Sequence, residues 1–371
     1  MKELYFLAGV KLPGDSDALV NDSMEELENL VATAGGEVYG RLIQKRDTID
    51  PTTYIGKGKI EEIDMLFDRP RGEGTVVFNA DLSPAQIRNL EEVLGCQVIT
   101  RTELILAIFA IHARSQVAKF QVETAQLSYM LPRLTGQGVS MSRTGAGLRT
   151  RGPGETKLET DRRKIHKRIS LLKKELQRLE KAAEVRRRSR ENVFKVTIAG
   201  YTNAGKSALS TLLTKGDLTS ENKLFSTLDT ATRKLSLGPK VEAVLTDTVG
   251  FIRDIPHELV ESFKSTLAET AEADLIIHLV DISSTFFREK MDTGNVLLAE
   301  IGAEQNKRVL AFNKIDMADL EVLALAKSEF PEAFFISAKK KIGIEELQHY
   351  IRQEALRFME QKGIILPEYL S

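Results

Sequence analysis

The densest concentration of chemistry in this 371-residue sequence is the run Gly200, Tyr201, Thr202, Asn203, Ala204, Gly205, Lys206 and Ser207. It follows an apolar stretch, Phe194–Ala199, and opens a helical pattern. A strand, a Gly-rich turn and a helix in that order form a phosphate-binding loop. The glycines let the backbone wrap an anion, so that successive N–H groups point at phosphate oxygens at a helix N-terminus. Lys206 then reaches the β- and γ-phosphates and the Ser207 hydroxyl is a Mg²⁺ ligand. Two more segments follow candidate strands. Asp247, Thr248, Val249 and Gly250 come after Val241–Thr246, with the spacing of a Mg²⁺-side aspartate and a γ-phosphate-sensing glycine. Asn313, Lys314, Ile315 and Asp316 come after Arg308–Phe312. A carboxylate at Asp316 accepts hydrogen bonds from N1–H and the N2 amino group of guanine, donors that adenine lacks in that geometry. Leaving such a group unpaired rejects the wrong base. Ser337, Ala338 and Lys339, after Ala333–Ile336, stand where a backbone N–H would meet guanine O6. Together these segments predict GTP and GDP as ligands, with Mg²⁺.

The order of these segments resembles the Ras-like GTPases of the translation-factor class. That resemblance makes Phe225, Ser226, Thr227, Leu228 and Asp229 the first switch, with Thr227 as second Mg²⁺ ligand, although Thr230 and Thr232 lie nearby. Lys206, Thr227 and Gly250 are then the catalytic set. Phe251 stands where such enzymes usually place a water-orienting glutamine, and a phenyl ring cannot orient water. Slow intrinsic hydrolysis, accelerated by a partner, is expected. Asn203 matches a position some relatives use to hold K⁺; a loop-stabilising Asn is the equal alternative.

Elements must position these groups. Apolar runs near Leu4–Val10, Val38–Ile43, Thr75–Phe78 and Gln97–Ile99 read as strands. Helical patterns over Ser23–Ala34, Lys57–Phe67 and Ser83–Leu94 separate them, and this alternation predicts a small α/β domain with a parallel sheet. Residues 101–131 read as one continuous helix, and Arg133–Gly154 as a Gly- and Arg-rich loop. A helix over 156–191 follows, which Thr156 could cap, with a stripe of Leu158, Ile165, Ile169, Leu172, Leu176 and Leu179. The expected organisation is an α/β domain over 1–100, a helical hairpin with a basic loop (133–155) over 101–191, and a Ras-like, mostly parallel nucleotide domain over 192–371.

The net charge of −1 conceals a basic stretch over Arg133–Arg190. Arg133, Arg143, Arg149, Arg151 and Lys157, interspersed with glycine, suit a phosphate-rich RNA surface. For Arg162, Arg163, Lys164, Lys167, Arg168, Lys173 and Lys174 on the helix behind, a solvated face with local ion pairs is an equal reading. The longest apolar run, Leu104–Ile111, is far short of the ~20 residues of a membrane span. Nor does Met1–Val10, with Lys2 and Glu3, resemble a secretory leader. The lone Cys96 excludes an internal disulfide and suggests a small buried hydrophobe in a reducing cytoplasm. A cytoplasmic monomer is expected, with peripheral membrane association left open.

Beyond the nucleotide motifs, nearly the whole chain resembles the HflX-type ribosome-associated GTPases. The resemblance is carried by Gly56-Lys-Gly-Lys-Ile-Glu-Glu62, Leu82-Ser-Pro-Ala-Gln-Ile-Arg-Asn-Leu90, Arg101-Thr-Glu-Leu-Ile-Leu106, Gln121–Gln126 and Tyr129-Met-Leu-Pro-Arg-Leu134. Arg151-Gly-Pro-Gly-Glu-Thr-Lys157 with Asp161-Arg-Arg163 is the most specific, and Asp247-Thr-Val-Gly-Phe-Ile-Arg253 is also in that family's form. Two segments depart from it: Asp229-Thr-Ala-Thr-Arg233, where Asp-Pro-Thr-Thr-Arg is usual, and Thr144-Gly-Ala-Gly-Leu148, where a glycine run is usual. The resemblance implies binding to the large ribosomal subunit through its rRNA and separation of stalled ribosomes into subunits. Two other readings stay open: a GTPase of tRNA or rRNA modification, for which Cys96 is weak support, and an RNA-binding scaffold merely stabilised by nucleotide. Relatives are also thought to handle ATP through the N-terminal domain; Gly56-Lys-Gly58 is too short for a phosphate loop, and the question is open.

Overall fold

In a computed structural model, all residues are described except 1, 71, 135–152, 189–191, 215–224, 226–230, 239–240, 254–258, 260–269 and 365–371. The chain forms two compact units, Met1–Gln177 with Pro256–Ser262 and Arg178–Ile255 with Phe263–Ser371. Each has its own sheet.

The first unit carries β1 (Leu4–Lys11), α1 (Asp17–Thr33), β2 (Glu37–Lys45), α2 (Lys57–Leu66), β3 (Thr75–Phe78), α3 (Pro84–Leu94) and β4 (Gln97–Thr100). The four strands pair in parallel in the order β2-β1-β3-β4. β1 and β3 are almost fully buried, as parallel strands covered on both faces must be. Phe6, Phe78, Ile60, Ile63 and Leu90 form the core between strands and helices. Cys96 is buried there, and the Arg69 guanidinium lies 2.8 Å from its sulfur. α1 begins six residues before the expected Ser23, because the Ser16 hydroxyl accepts from Leu19 N–H and so caps an earlier turn. At α3 the expected N-cap is present: Ser83 and Gln86 form a reciprocal capping box, with Pro84 in the first turn.

The expected single helix over 101–131 is instead two, α4 (Arg101–His112) and α5 (Gln116–Leu134). Ala113 turns extended between them, and the Ser115 hydroxyl accepts from Ala118 N–H to start the second. α5 runs through Pro132, so Arg133 belongs to a helix and not to the cationic loop. Its guanidinium pairs with Glu103 at 2.6 Å, lies over the Tyr129 ring and also bonds the Tyr129 hydroxyl. It is therefore held by the protein itself.

The long helix α6 (Pro153–Arg188) starts before Thr156, which consequently does not cap it. Leu172 and Leu176 of the expected stripe are buried. The opposite faces carry the expected cations, and several are paired locally: Arg168 with Glu123, Lys164 with Asp161, Arg163 with Glu159.

A buried ion pair sits inside the first unit. Arg101, at the start of α4, is 3 % exposed and donates to Glu26 of α1 at 2.7 Å and to Asn79 at 2.9 Å. Asn79 in turn donates to the Ser23 hydroxyl. Removing one member leaves the other charge buried and uncompensated. Arg101→Ala is expected to cost roughly 3 to 5 kcal/mol of stability, measured by denaturant unfolding; a loss below about 1 kcal/mol would place the ion pair in an effectively solvated setting.

Candidate functional site

The second unit is built on a six-stranded sheet of order β10-β9-β8-β5-β7-β6. In chain order these are β5 (Phe194–Gly200), β6 (Ala231–Ser236), β7 (Glu242–Asp247), β8 (Leu275–Asp281), β9 (Arg308–Asn313) and β10 (Phe334–Phe335). All pairings are parallel except β6 with β7. Among the described residues that follow β5, the helices are α7 (Lys206–Leu213), α8 (Phe287–Glu300), α9 (Leu320–Glu329) and α10 (Ile344–Gln361). The side chains of Ile344, Leu347, Ile351, Ala355 and Met359 give α10 an apolar face at helical spacing, packed on the core around Val196, Leu245 and Leu275. β5 is flanked by β7 on one side and β8 on the other, so the chain leaves it in opposite directions. A crevice opens at the carboxyl ends of strands at such a point, where parallel-sheet proteins bind ligands.

Into that crevice the turn between β5 and α7 places Gly200–Ser207. Gly205, the residue before α7, has φ 95°, a left-handed conformation open to glycine. Asn203 also takes positive φ, 60°, which Asn tolerates better than most side chains. The Lys206 side chain folds back over the turn, donating to the carbonyl oxygens of Gly200 (3.0 Å) and Tyr201 (2.8 Å). Burial pulls its pKa down to about 8, with the Asp247 carboxylate opposing the shift. A buried ammonium beside a helix N-terminus is a strong anion site. Ser207 is the next residue of α7, while Asp247, at the end of β7, is 4 % exposed.

The turn after β7 is tied to the phosphate loop by backbone. Thr202 N–H donates to Phe251 O at 2.6 Å, and Phe251 N–H to Gly200 O at 3.0 Å. Thr248 Oγ1 donates to Ile198 O at 2.8 Å. Val249 and Gly250 are buried between these ties. A methyl group built on Gly250 would lie 2.7 Å from Thr202 Cγ2 and 2.9 Å from Lys206 Nζ, so this backbone reaches the lysine only as glycine. The Phe251 ring is 4 % exposed and packs with Ala199, Tyr201, Ile276 and Leu298.

The third and fourth segments meet through one amide. Asn313 Nδ2 donates to Ala204 O at 2.7 Å, and Asn313 Oδ1 accepts from Ala338 N–H at 3.0 Å. This joins the end of β9 to both the phosphate loop and the Ser337–Lys339 loop. Ile315 N–H donates to Ile336 O, and Ser337 exchanges two backbone bonds with Ile342. Asp316 is exposed, and its carboxyl is held below the usual range, chiefly by a hydrogen bond from the Ser337 side chain. An ionised, accessible carboxylate is the form that accepts from guanine.

Of the sequence-derived residues, Gly200–Ser207, Asp247–Gly250, Asn313–Asp316 and Ser337–Lys339 are thus gathered at one end of the sheet. Phe225 is buried with φ 53°, while Ser226, Thr227, Leu228 and Asp229 lie outside the described residues. Arg143, Arg149 and Arg151 also lie outside them; Lys157 is in α6, with its side chain not described. Sequence reasoning missed Asp281, at the end of β8, whose carboxylate pairs with Lys314 at 2.7 Å. A carboxylate closing an otherwise apolar strand was the available signal. It also missed the Tyr201 hydroxyl, which accepts from Arg253 N–H at 2.8 Å.

For a divalent cation, the donor set at hand is hard oxygen: the Ser207 hydroxyl and the Asp247 carboxylate. No group of three or more His, Cys, Asp or Glu side chains able to hold a metal occurs among the described residues. Mg²⁺ fits such a place, since it usually binds through one or two protein groups with the rest of its shell from phosphates and water.

Comparison with known proteins supports a GTP-binding fold. Three family models match in succession: GTP-binding GTPase N-terminal over residues 21–110, GTP-binding GTPase Middle Region over 112–190, and 50S ribosome-binding GTPase over 195–314. The chain is 45 % identical over 348 residues to GTPase HflX of Caldanaerobacter subterraneus subsp. tengcongensis, covering 93 % of this chain and 80 % of that protein. To GTPase HflX of Lacrimispora saccharolytica it is 46 % identical over 349 residues, covering 94 % and 82 %. Among solved structures, the SsGBP and GDP complex superposes with a TM-score of 0.52 at 26 % identity, covering 96 % of this chain and 99 % of that one.

Burial of Lys206 carries a pH signature. Phosphate binding favours its charged form and so raises its pKa, and from about 8 in the free protein the complex must take up a proton as pH rises past that value. GDP affinity is expected to be flat below pH 7 and to fall between pH 8 and 9.5, with proton uptake in calorimetry. Lys206→Ala should bind weakly with the slope removed; a wild-type affinity independent of pH over this range would contradict the assignment.

Proposed function

Since the chain belongs to the HflX family of GTPases, we propose that it cycles on and off the large ribosomal subunit, engaging it in the GTP state and leaving on hydrolysis. GTP binding and hydrolysis are properties of that family. The observation behind the nucleotide part of this reading is the Asn313 clamp: this residue, three positions before Asp316, ties Ala204 of the Gly200–Ser207 turn to Ala338.

In this assignment the N–H groups of Gly200–Ser207 cradle the phosphates, and Lys206 displaces its two carbonyl partners to reach the β- and γ-phosphates. Asp316 accepts from the guanine edge, Ala338 and Lys339 present backbone to the base, and the Lys314 stem packs beside it, held by Asp281. Mg²⁺, bound by Ser207 and Thr227 with Asp247 behind, would neutralise charge developing on the phosphates. Gly250 senses the γ-phosphate through its backbone N–H. The first switch, Phe225–Asp229, closes on the same phosphate and is released after hydrolysis. Phe251 contributes packing only, so turnover by the isolated protein is slow.

The ribosome part rests on the family description 50S ribosome-binding GTPase for residues 195–314 and on the cationic run Arg143, Arg149, Arg151 and Lys157. Arg pairs with phosphate and stacks on unpaired bases, which suits rRNA. Through this run the protein would part stalled ribosomes into subunits in the cytoplasm, as a monomer; among the described residues no helix is long and apolar enough to cross a membrane.

Large ribosomal subunits are expected to stimulate GTP turnover at fixed salt, and the Arg149→Ala/Arg151→Ala variant to lose that stimulation with GTP affinity intact. Equal turnover with and without subunits would leave a GTPase whose partner is another RNA or a modification enzyme. At Asn203, a K⁺ site predicts faster turnover in K⁺ than in Na⁺ at equal ionic strength; equal rates would make it a loop-stabilising residue.

A further inference from the structure

At the carboxyl end of β8, Asp281 stands opposite Asn313 in the parallel ladder, and Ile282 N–H donates to Asn313 O at 3.1 Å. The strand end is thus fastened beside the segment Asn313–Asp316. Both carboxylate oxygens of Asp281 are committed within the protein. Oδ1 accepts from the Ser283 main chain at 3.0 Å and from the Ser283 hydroxyl at 2.6 Å, and Oδ2 pairs with Lys314 Nζ at 2.7 Å. Asp316 contrasts with it: that carboxylate also takes a serine hydroxyl, from Ser337, but stays exposed. Lys314 has its main chain turned out of β9 with φ 64°, and its carbonyl accepts from Met317 N–H at 2.9 Å. Its side chain and that of Asp281 are 23 % and 20 % exposed, so salt screens the pair less than it would at an open surface. A lysine side chain is long and rich in rotamers; here it is fixed at both ends.

We propose that Asp281 is a positioning residue: it holds the Lys314 side chain ready for the guanine nucleotide, Ser283 locks the carboxylate, and together they set how long the nucleotide stays bound. This rests on the reading of Asn313–Asp316 as the base-reading segment. Asp281 does not itself touch the nucleotide, since its oxygens are already taken. Ordering a rotamer-rich side chain on binding lowers affinity by about 3- to 10-fold, and a lysine that is already ordered avoids that loss. The effect belongs to the base end of the site. It therefore weighs equally on GDP and GTP and leaves the hydrolytic step unchanged once GTP is bound. The carboxylate is bonded from two sides, so loss of the Ser283 hydroxyl loosens the ammonium without removing its charge partner.

The test follows release of tritiated GDP from the full-length protein, with GTP affinity and single-turnover hydrolysis at saturating GTP measured beside it. In Asp281→Asn, which sets an amide against the ammonium, GDP release is expected to quicken about 3- to 10-fold. GTP affinity falls by the same factor, while saturated hydrolysis stays within about 2-fold of wild type. Ser283→Ala, which leaves both charges of the pair in place, gives a smaller quickening. In a Lys314→Met background, Asp281→Asn adds less than about 2-fold, because it acts through the ammonium. Wild-type GDP release in either Asp281→Asn or Ser283→Ala would overturn the proposal. So would the full Asp281→Asn effect persisting in Lys314→Met, which would make Asp281 a support of the fold alone. A fall in saturated hydrolysis would also overturn it, by placing the action at the phosphates. Asp316→Ala, run alongside, separates this from failure of the base-site reading: if that variant keeps its preference for GDP over ADP, the site itself is misassigned.

Discussion

One side-chain amide holds the nucleotide half together. Asn313 gives its N–H to the phosphate loop at Ala204 and takes one from Ala338, so three segments far apart in sequence share a single planar group. Each bond alone is worth about 1 kcal/mol. Their value lies in geometry: an Asp there could not donate to Ala204 O, and a Leu could do neither. The placement of the Gly200–Ser207 turn relative to the Ser337–Lys339 loop is thereby set by the protein itself, and preorganisation of that kind is what lowers the cost of binding.

Around that clamp the groups divide by dielectric setting. Lys206 sits buried with only carbonyl oxygens and the field of Asp247, an arrangement that favours exchange of weak partners for phosphate. Asp316 stays exposed and ionised, as a carboxylate must be to accept from a neutral base. The first unit follows the opposite rule. Its Arg101–Glu26–Asn79 network pairs two buried charges with each other at the carboxyl ends of β3 and β4, and its Arg133–Glu103–Tyr129 contacts fix the last turn of α5.

The local rules made most of this legible in sequence. The strand before Gly200, the helix after Ser207, the β strands of the first unit and the Ser83 cap were all readable because period, Gly placement and capping chemistry act over a few residues. What escaped was of two kinds. The α4–α5 break depends on Ser115 capping where neither Gly nor Pro marks a stop, and apolar periodicity runs through it unchanged. The early start of α1 escaped for the same reason: Ser16 caps a turn whose side chains are mostly exposed. Arg133 was misread because composition averages over neighbours, whereas its partners Glu103 and Tyr129 are distant or hidden in a helix face. The pairing of Asp281 with Lys314 and the second bond of Asn313 are likewise tertiary facts, although the carboxylate that closes an apolar strand was itself visible.

The bridge between Tyr201 and Phe251 is made by main-chain atoms alone, so it does not constrain which side chain stands at position 251. That side chain answers only to the apolar pocket of Ala199, Tyr201, Ile276 and Leu298. Exchanges among apolar residues of similar volume there cost under about 1.5 kcal/mol, and drift among them is nearly neutral. A glutamine would bring an amide into the same pocket at a cost of about 1 to 3 kcal/mol unless it swung out and left a void. Position 251 thus works like a lock with two thresholds: one apolar side chain exchanges for another at small cost, while an amide needs a second, compensating change in the pocket.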